Sequence, residues 1–171
     1  LAAAGAQPGW RVLYTARAHQ FTGEIVFRTQ PEMTVYFDGG HAYHATRAGD
    51  PTLCERVVAA GVVEPAQIER GVIRVGNIEN LGRLFDRDPS IDRDSVMVLL
   101  ELATDDMMTE LANSTTSGFS LTAYRHHASG IHRWFVAPNS ANERPPAQLT
   151  PVGRVAQIDS SVTSDLPALS G

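Results

Sequence analysis

The sequence predicts an α+β fold: a small antiparallel sheet of four or five strands, meander first, packed on a helical layer and followed by an extended C-terminal tail. Three observations carry this reading. From Gly23 to Ala45, short β-branched and aromatic runs are separated by turn residues, as in a strand meander. From Pro51 to Ala112 the apolar residues recur at helical spacing instead. Beyond Ala137, Pro138, Pro145, Pro146 and Pro151 crowd together among serines and small residues, a composition of tails rather than cores. The folded domain is accordingly placed at residues 1–136, with a helical insertion at about 51–112, and the Pro/Ser-rich tail at 137–171.

The first element is a helix over Trp10–His19, where Val12, Leu13 and Ala16 form an apolar stripe that leaves out Arg11 and Arg17. The period then changes. Glu24–Arg28 and Thr34–Phe37 read as strands around a turn at Thr29–Met33. Asp38-Gly39-Gly40 is a tight-turn signal, because glycine takes positive φ at little steric cost, and His41–Ala45 returns as the third strand. Helices follow at Thr52–Ala60, closed by Gly61, and at Pro65–Val75, with Pro65 in its first turn. Leu53, Val57 and Val58 face inward from the first; Ile68, Val72 and Val75 do so from the second. Asn77–Phe85 reads as a third short helix with a Glu79–Arg83 i,i+4 pair. The longest helix is expected from about Ile91 to Ala112 with Ser90 as its N-cap. Val96, Leu99, Leu100, Ala103, Met107 and Leu111 fall on one arc of it, and Asp94, Glu101 and Asp105 on the opposite arc. Gly118–Tyr124 alternates as a fourth strand, and Ile131–Val136, after a Ser129-Gly130 turn, as a fifth.

Composition removes several function classes. The 171 residues, 43% hydrophobic, suffice for one domain with a real core. All 14 basic residues are Arg. A Schiff-base enzyme, a phosphate loop ending in Gly-Lys-Ser/Thr and a protein kinase each need a lysine, so these are excluded on this chain. Arg-only, Ala- and Gly-rich usage fits a GC-rich bacterial genome. Cys54 stands alone, so neither an internal disulfide nor a multi-cysteine zinc site can form, and a reducing, cytoplasmic setting is expected. No apolar run approaches the roughly 18–20 residues that cross a bilayer, so no membrane insertion is expected. Leu1-Ala2-Ala3-Ala4 lacks the basic start and long apolar middle of a signal peptide. A chain opening at Leu1 without Met reads as a trimmed piece, which leaves a targeting segment open.

Three stretches together carry a family likeness: Phe21-Thr22-Gly23-Glu24-Ile25-Val26-Phe27, Val35-Tyr36-Phe37-Asp38-Gly39-Gly40-His41-Ala42-Tyr43-His44-Ala45, and Ser117-Gly118-Phe119-Ser120-Leu121. Over about residues 10–136 their order resembles the PATAN-type regulatory domain, a bacterial family of undefined function often joined to response-regulator receivers. The resemblance implies a non-enzymatic signalling or interaction module, with no catalytic residues to carry over. The long helical stretch between the third and fourth strands is this chain's departure from the usual compact form. Within it, residues 53–68 resemble the helical pair at the N-terminus of bacterial secretion and pilus ATPases. An Arg-Leu-Gly opening contributes to cyclic-di-GMP binding in that family; here Thr52, Leu53 and Cys54 stand in its place, and the likeness is read as shared helical-hairpin packing.

Candidate chemistry is weighed residue by residue. The six histidines would form a metal site from His44, His126 and His132 only if the first and last strands were neighbours. With no flanking cysteine and no His-Glu-x-x-His spacing they read as surface or hydrogen-bonded residues. Asp94, Glu101 and Asp105 share a face, as any solvated helix face does. Cys54 reads as a buried small apolar residue, although a helix N-terminus can lower a thiol pKa. The helical hairpin 52–75 could present Arg70 and Arg74 to DNA, but Glu64 and Glu69 lie beside them and the net charge is −5, so nucleic acid is not the expected partner.

The expectation is therefore a non-enzymatic bacterial regulatory module acting by protein–protein contact, with no cofactor and no metal. Its partner is expected to be a bacterial protein, and self-association to a homo-oligomer is left open. Its contact residues are placed at the sheet edge near Tyr43 and His44 and along the tail, where Leu149, Val152, Val155, Ile158, Val162, Leu166 and Leu169 recur every three or four residues. The alternatives are a transcription regulator contacting DNA through residues 52–75 and a cyclic-dinucleotide sensor.

Overall fold

Residues 6–135 are described in a computed structural model of the chain. They lie in the first of two units, Leu1–Ala137 and Pro138–Gly171; the tail positions Leu149, Val152, Val155, Ile158, Val162, Leu166 and Leu169 fall outside the described residues. The order of elements is β1 (Gln7–Pro8), α1 (Gly9–Ala18), β2 (Gly23–Phe27), β3 (Met33–Asp38), β4 (His41–Arg47), α2 (Leu53–Ala59), α3 (Pro65–Gly71), β5 (Ile73–Val75), β6 (Ile78–Asn80), α4 (Leu84–Arg87), α5 (Arg93–Ala112), β7 (Thr115–Thr116), β8 (Phe119–Ala123) and α6 (His132–Phe135). This is the mixed α+β class read from the sequence. The main sheet is antiparallel in the order β4-β3-β2-β8, so β8 returns beside β2, the first strand of the meander, with Gly23 opposite Ala123 and Phe27 opposite Phe119. β1 pairs with β7, and β5 with β6 as a separate hairpin.

The family-like stretches have local work to do. Gly39 and Gly40, both at positive φ, make the turn between β3 and β4. Thr22 Oγ1 accepts the Gly39 N–H at 2.9 Å and the Phe21 carbonyl accepts the Gly40 N–H at 2.9 Å. The turn is thereby fastened to the junction of α1 and β2.

Two clusters of apolar side chains hold the domain. On one face of the sheet Ile25, Phe27, Val35 and Phe37 pack with Val12 and Ala16 of α1 and with Met107 and Leu111 of α5. α1 and α5 approach closely at Gly9, where a Cβ would stand 1.9 Å from the Leu111 carbonyl oxygen. The second cluster joins Tyr43 of β4 to Leu53 and Val57 of α2, Ile68 of α3, Leu84 of α4, Val96 and Leu100 of α5, and Trp134 of α6. Full burial of such a side chain contributes about 1.5–3 kcal/mol, so both clusters matter to stability.

Four expectations are corrected. The helix from Pro65 stops at Gly71, where Val72 is already extended at φ −89°, ψ 136°; the β-branched run that follows suits a strand. The helix expected over Asn77–Phe85 is instead β6 and the short α4, because Gly76 at φ +60° turns the chain back on itself. Glu79 consequently pairs with its cross-strand neighbour Arg74 at 3.3 Å rather than with Arg83. The N-cap of α5 is Asp92, not Ser90: its carboxylate accepts the Asp94 N–H at 3.1 Å and the Ser95 N–H at 3.4 Å. Finally, Ile131–Phe135 is not a fifth strand but the entry to α6, which buries Ile131 and Trp134 three residues apart on one side. On α5, Asp94, Glu101 and Asp105 are exposed as expected, but Val98 and Leu102 are exposed too and Thr104 is buried.

Candidate functional site

A bulge in β4 creates the most polar part of the interior. Tyr36 lies opposite His44 while Phe37 lies opposite Ala42, which leaves Tyr43 as an extra residue. An extra residue breaks strict alternation, so Tyr43 and His44 both join Tyr36 on the face away from α1. Their ring centroids lie 6.3 Å and 6.2 Å from that of Tyr36. The chain beyond β8 crosses this face. His127 meets Tyr36 edge-on at 5.0 Å and His44 at 4.7 Å. The Tyr43 hydroxyl accepts the His127 backbone N–H at 3.0 Å and lies 3.3 Å from His126 Nδ1, while His126 stacks on His132 at 4.3 Å. Glu24, opposite Tyr36, pairs with Arg125 at 3.5 Å.

The environment keeps two rings of this layer, His44 and His127, uncharged. Burial, then repulsion from a protonated His127 and from the Arg56 guanidinium, holds the His44 pKa down at about 3, and burial holds His127 at about 4. Both rings are thus neutral near pH 7. His127 Nδ1 lies 2.6 Å from the Ser129 hydroxyl and 3.3 Å from the Ser129 backbone N–H, which fastens the ring to the turn that follows it. His44 is only 6% exposed, and its Nδ1 has no hydrogen-bond partner among the described residues, an uncommon state for a buried polar atom. Burial first, then the neighbouring Glu24 carboxylate, raises the Tyr36 phenol above its usual range.

Beside His44 opens a cleft of about 310 Å³, bounded by the end of β4, the turn into α2, the β5–β6 hairpin and residues 127–129. Asp50 sits in its wall between two guanidinium groups, 3.0 Å from Arg47 Nε and 2.5 Å from Arg56 Nη2. Burial alone would raise the Asp50 carboxyl, but the hydrogen bonds and charges of Arg47 and Arg56 hold it below the usual carboxylate range. Cys54, on α2 behind this wall, is buried; burial and then the Glu79 carboxylate push its thiol up to about 12. It is therefore packed as a thiol, the reading the sequence favoured.

The hairpin that closes one side of the cleft is two-faced. Val75 lies directly opposite Ile78, and Ile73 is two residues from Val75, so all three aliphatics share one face. They are 70%, 51% and 37% exposed respectively. The opposite face carries the Arg74–Glu79 ion pair.

Of the residues placed at a contact surface by sequence, Tyr43 and His44 lie on an edge strand, as drawn, but their side chains are buried. That expectation is corrected: the bulge turns both inward, where they meet the 124–131 segment rather than solvent. The last expected strand, on which the His44, His126 and His132 cluster depended, is the helix α6 over its described residues, and His44 goes with His127 while His126 goes with His132. Among the described residues no three His, Cys, Asp or Glu side chains converge in the manner of a metal site. The helical hairpin offered to DNA is shortened: α3 ends before Arg74, and Arg70 pairs with Asp88 at 3.1 Å. Sequence reasoning missed the Arg47–Asp50–Arg56 cluster, although opposite charges three and six residues apart across an Asp-Pro turn were a signal for it. No helix among the described residues is long and apolar enough to cross a membrane. Compared with known proteins, the chain matches no family model, no curated protein and no solved structure.

Proposed function

We propose that this domain is a non-enzymatic bacterial regulatory module, working in the cytoplasm, that acts by binding another protein through the β5–β6 hairpin. The observation that carries the reading is the row of exposed aliphatics Ile73, Val75 and Ile78 on one face of a two-stranded sheet. A two-stranded hairpin is marginal without a hydrophobic cover, and an apolar patch that the domain itself leaves open marks a contact site. The partner is a protein that lays an apolar surface across this face. The likeness to PATAN-type domains supports the same reading, and so does the chemistry of the interior. Cys54 is held as a thiol, and His44 and His127 are held neutral in a packed layer.

The test compares the wild-type chain with Val75→Asp, a change at an exposed position, in affinity purification from the native host. The expected result is a stoichiometric partner that disappears with the variant and that, when purified, slows hydrogen exchange across residues 73–80. A partner retained equally by both chains, or one that leaves 73–80 unprotected, overturns the reading. Sedimentation of the wild type alone identifies the case in which the occupant is a second copy.

A further inference from the structure

The cleft beside β4 has features that packing alone does not require. Its floor is apolar, formed by the buried Leu53 and Leu81, while its wall carries Arg47, Arg56, His44 and His127. The two arginines grip one carboxylate, Asp50, from opposite sides. Arg47 also reaches Glu110 at 2.9 Å, but among the described residues Arg56 has no carboxylate other than the one it shares. Its Nε goes to the Pro51 carbonyl at 3.2 Å and its Nη2 to Asp50, which leaves Nη1 without a hydrogen bond among the described residues. A guanidinium group has five N–H donors in a planar fork suited to two-point recognition of an oxyanion. Glu79, the other acid of the lining, is neutralised by Arg74. Behind the arginines stands His44, its Nδ1 buried and unpartnered.

We propose that this cleft binds a small organic oxyanion, a single carboxylate or phosphate group on a short apolar body. Arg56 and Arg47 hold the oxyanion beside Asp50, and the body lies on Leu53 and Leu81 against the rings of His44 and His127. Asp50 is the internal carboxylate that occupies the arginine pair in the free protein and gives way in part when the ligand arrives. The volume, at the small end of the roughly 300–1,000 Å³ range of ligand cavities, suits one anionic group rather than a dinucleotide. The cleft and the proposed contact face meet at Ile78, which belongs to both, whereas Val75 belongs to the contact face alone, so Val75→Asp tests the protein contact and Arg56→Gln the cleft.

The probes are benzoate and phenyl phosphate, titrated into the whole chain at constant pH and ionic strength with chloride as the balancing anion. The readout is the imidazole Cε1–H signals of His44 and His127, with the exposed His19 as internal reference. The expected result is a saturable shift at His44 and His127 and none at His19. Arg56→Gln weakens binding by about tenfold or more, and Asp50→Asn, which removes the internal competitor, tightens it. Saturation by benzoate alone assigns a carboxylate ligand, and saturation by phenyl phosphate alone a phosphate ester. Shifts that stay linear in concentration, or that survive Arg56→Gln unchanged in a chain with native circular dichroism, overturn the proposal. Arg47→Gln serves as the second variant should Arg56→Gln not fold.

Discussion

Replacing His44 with phenylalanine should change how the domain responds to acid while leaving its stability at neutral pH intact. His44 is stacked on Tyr36 and faces the edge of His127; its burial first, and then His127 and Arg56, disfavour its protonation. In the unfolded chain the ring titrates near 6.5, and in the fold near 3. Below pH 6.5 the unfolded state therefore binds the proton that the folded state refuses, and stability falls as pH falls. The loss begins at the unfolded value and ends near the folded one. One such proton contributes a slope of about 1.4 kcal/mol per pH unit. With a urea m-value of about 1–3 kcal/mol/M, that is a drop in midpoint of about 0.5–1.4 M for each unit between pH 6 and pH 4. His127, held at about 4, adds a second proton over much of the same window. Phenylalanine keeps an aromatic ring against Tyr36, carries no titrating group, and removes a polar atom that has no partner to lose. The assay is urea unfolding of wild type and His44→Phe at pH 7, 6, 5 and 4.5. The expected outcome is equal or higher stability at pH 7 and a slope shallower by about one proton. An unchanged slope, or a marked loss at pH 7, would refute the placement of His44 as a buried neutral ring.

Three further outcomes follow from the packing. Tyr43→Phe removes the hydroxyl that accepts the His127 N–H at 3.0 Å; it should lower stability by about 1–3 kcal/mol and speed hydrogen exchange at residues 126–128. Gly9→Ala drives a methyl group into the Leu111 carbonyl and should cost about 1–3 kcal/mol in urea unfolding through displacement of α1 from α5. The Cys54 thiol, buried and with its pKa raised to about 12, should react with a disulfide reagent at neutral pH only as fast as the domain opens, and at full rate in denaturant; immediate reaction in native buffer would refute its burial.

Much of the architecture was legible because it rests on local rules. The meander, the Gly39-Gly40 turn, the helix beginning near Trp10 and the α5 helix each announce themselves in periodicity or in a residue that only one backbone conformation favours. The errors share a cause. Residues 65–85 contain apolar side chains at spacings that fit a helix or a hairpin, and the choice was made by Gly76 and by the β-branched run Val72-Ile73, not by the period. Ile131 and Trp134 likewise fit either a strand or a single helical turn until the second cluster supplies a site to fill. The candidate site was harder still. A one-residue bulge reverses the face of every side chain after it, so the direction of Tyr43 and His44 depended on a pairing between β3 and β4 that sequence spacing does not encode. The arginine grip on Asp50 needed the β4–α2 turn to be closed before its three members met.

The long helix α5 has a consequence for how this chain can be divided. Its N-terminal half contributes Val96 and Leu100 to one cluster and its C-terminal half Met107 and Leu111 to the other, along a span of roughly 30 Å. Both clusters draw on this one rod, so a cut or insertion near its middle disturbs the two at once. The Gly76-Asn77 turn lies outside both clusters and is exposed, which makes it the natural seam for a split reporter or a circular permutant. Pieces divided there each keep whole secondary-structure elements, and their reassembly would be driven by α5 docking across the interior.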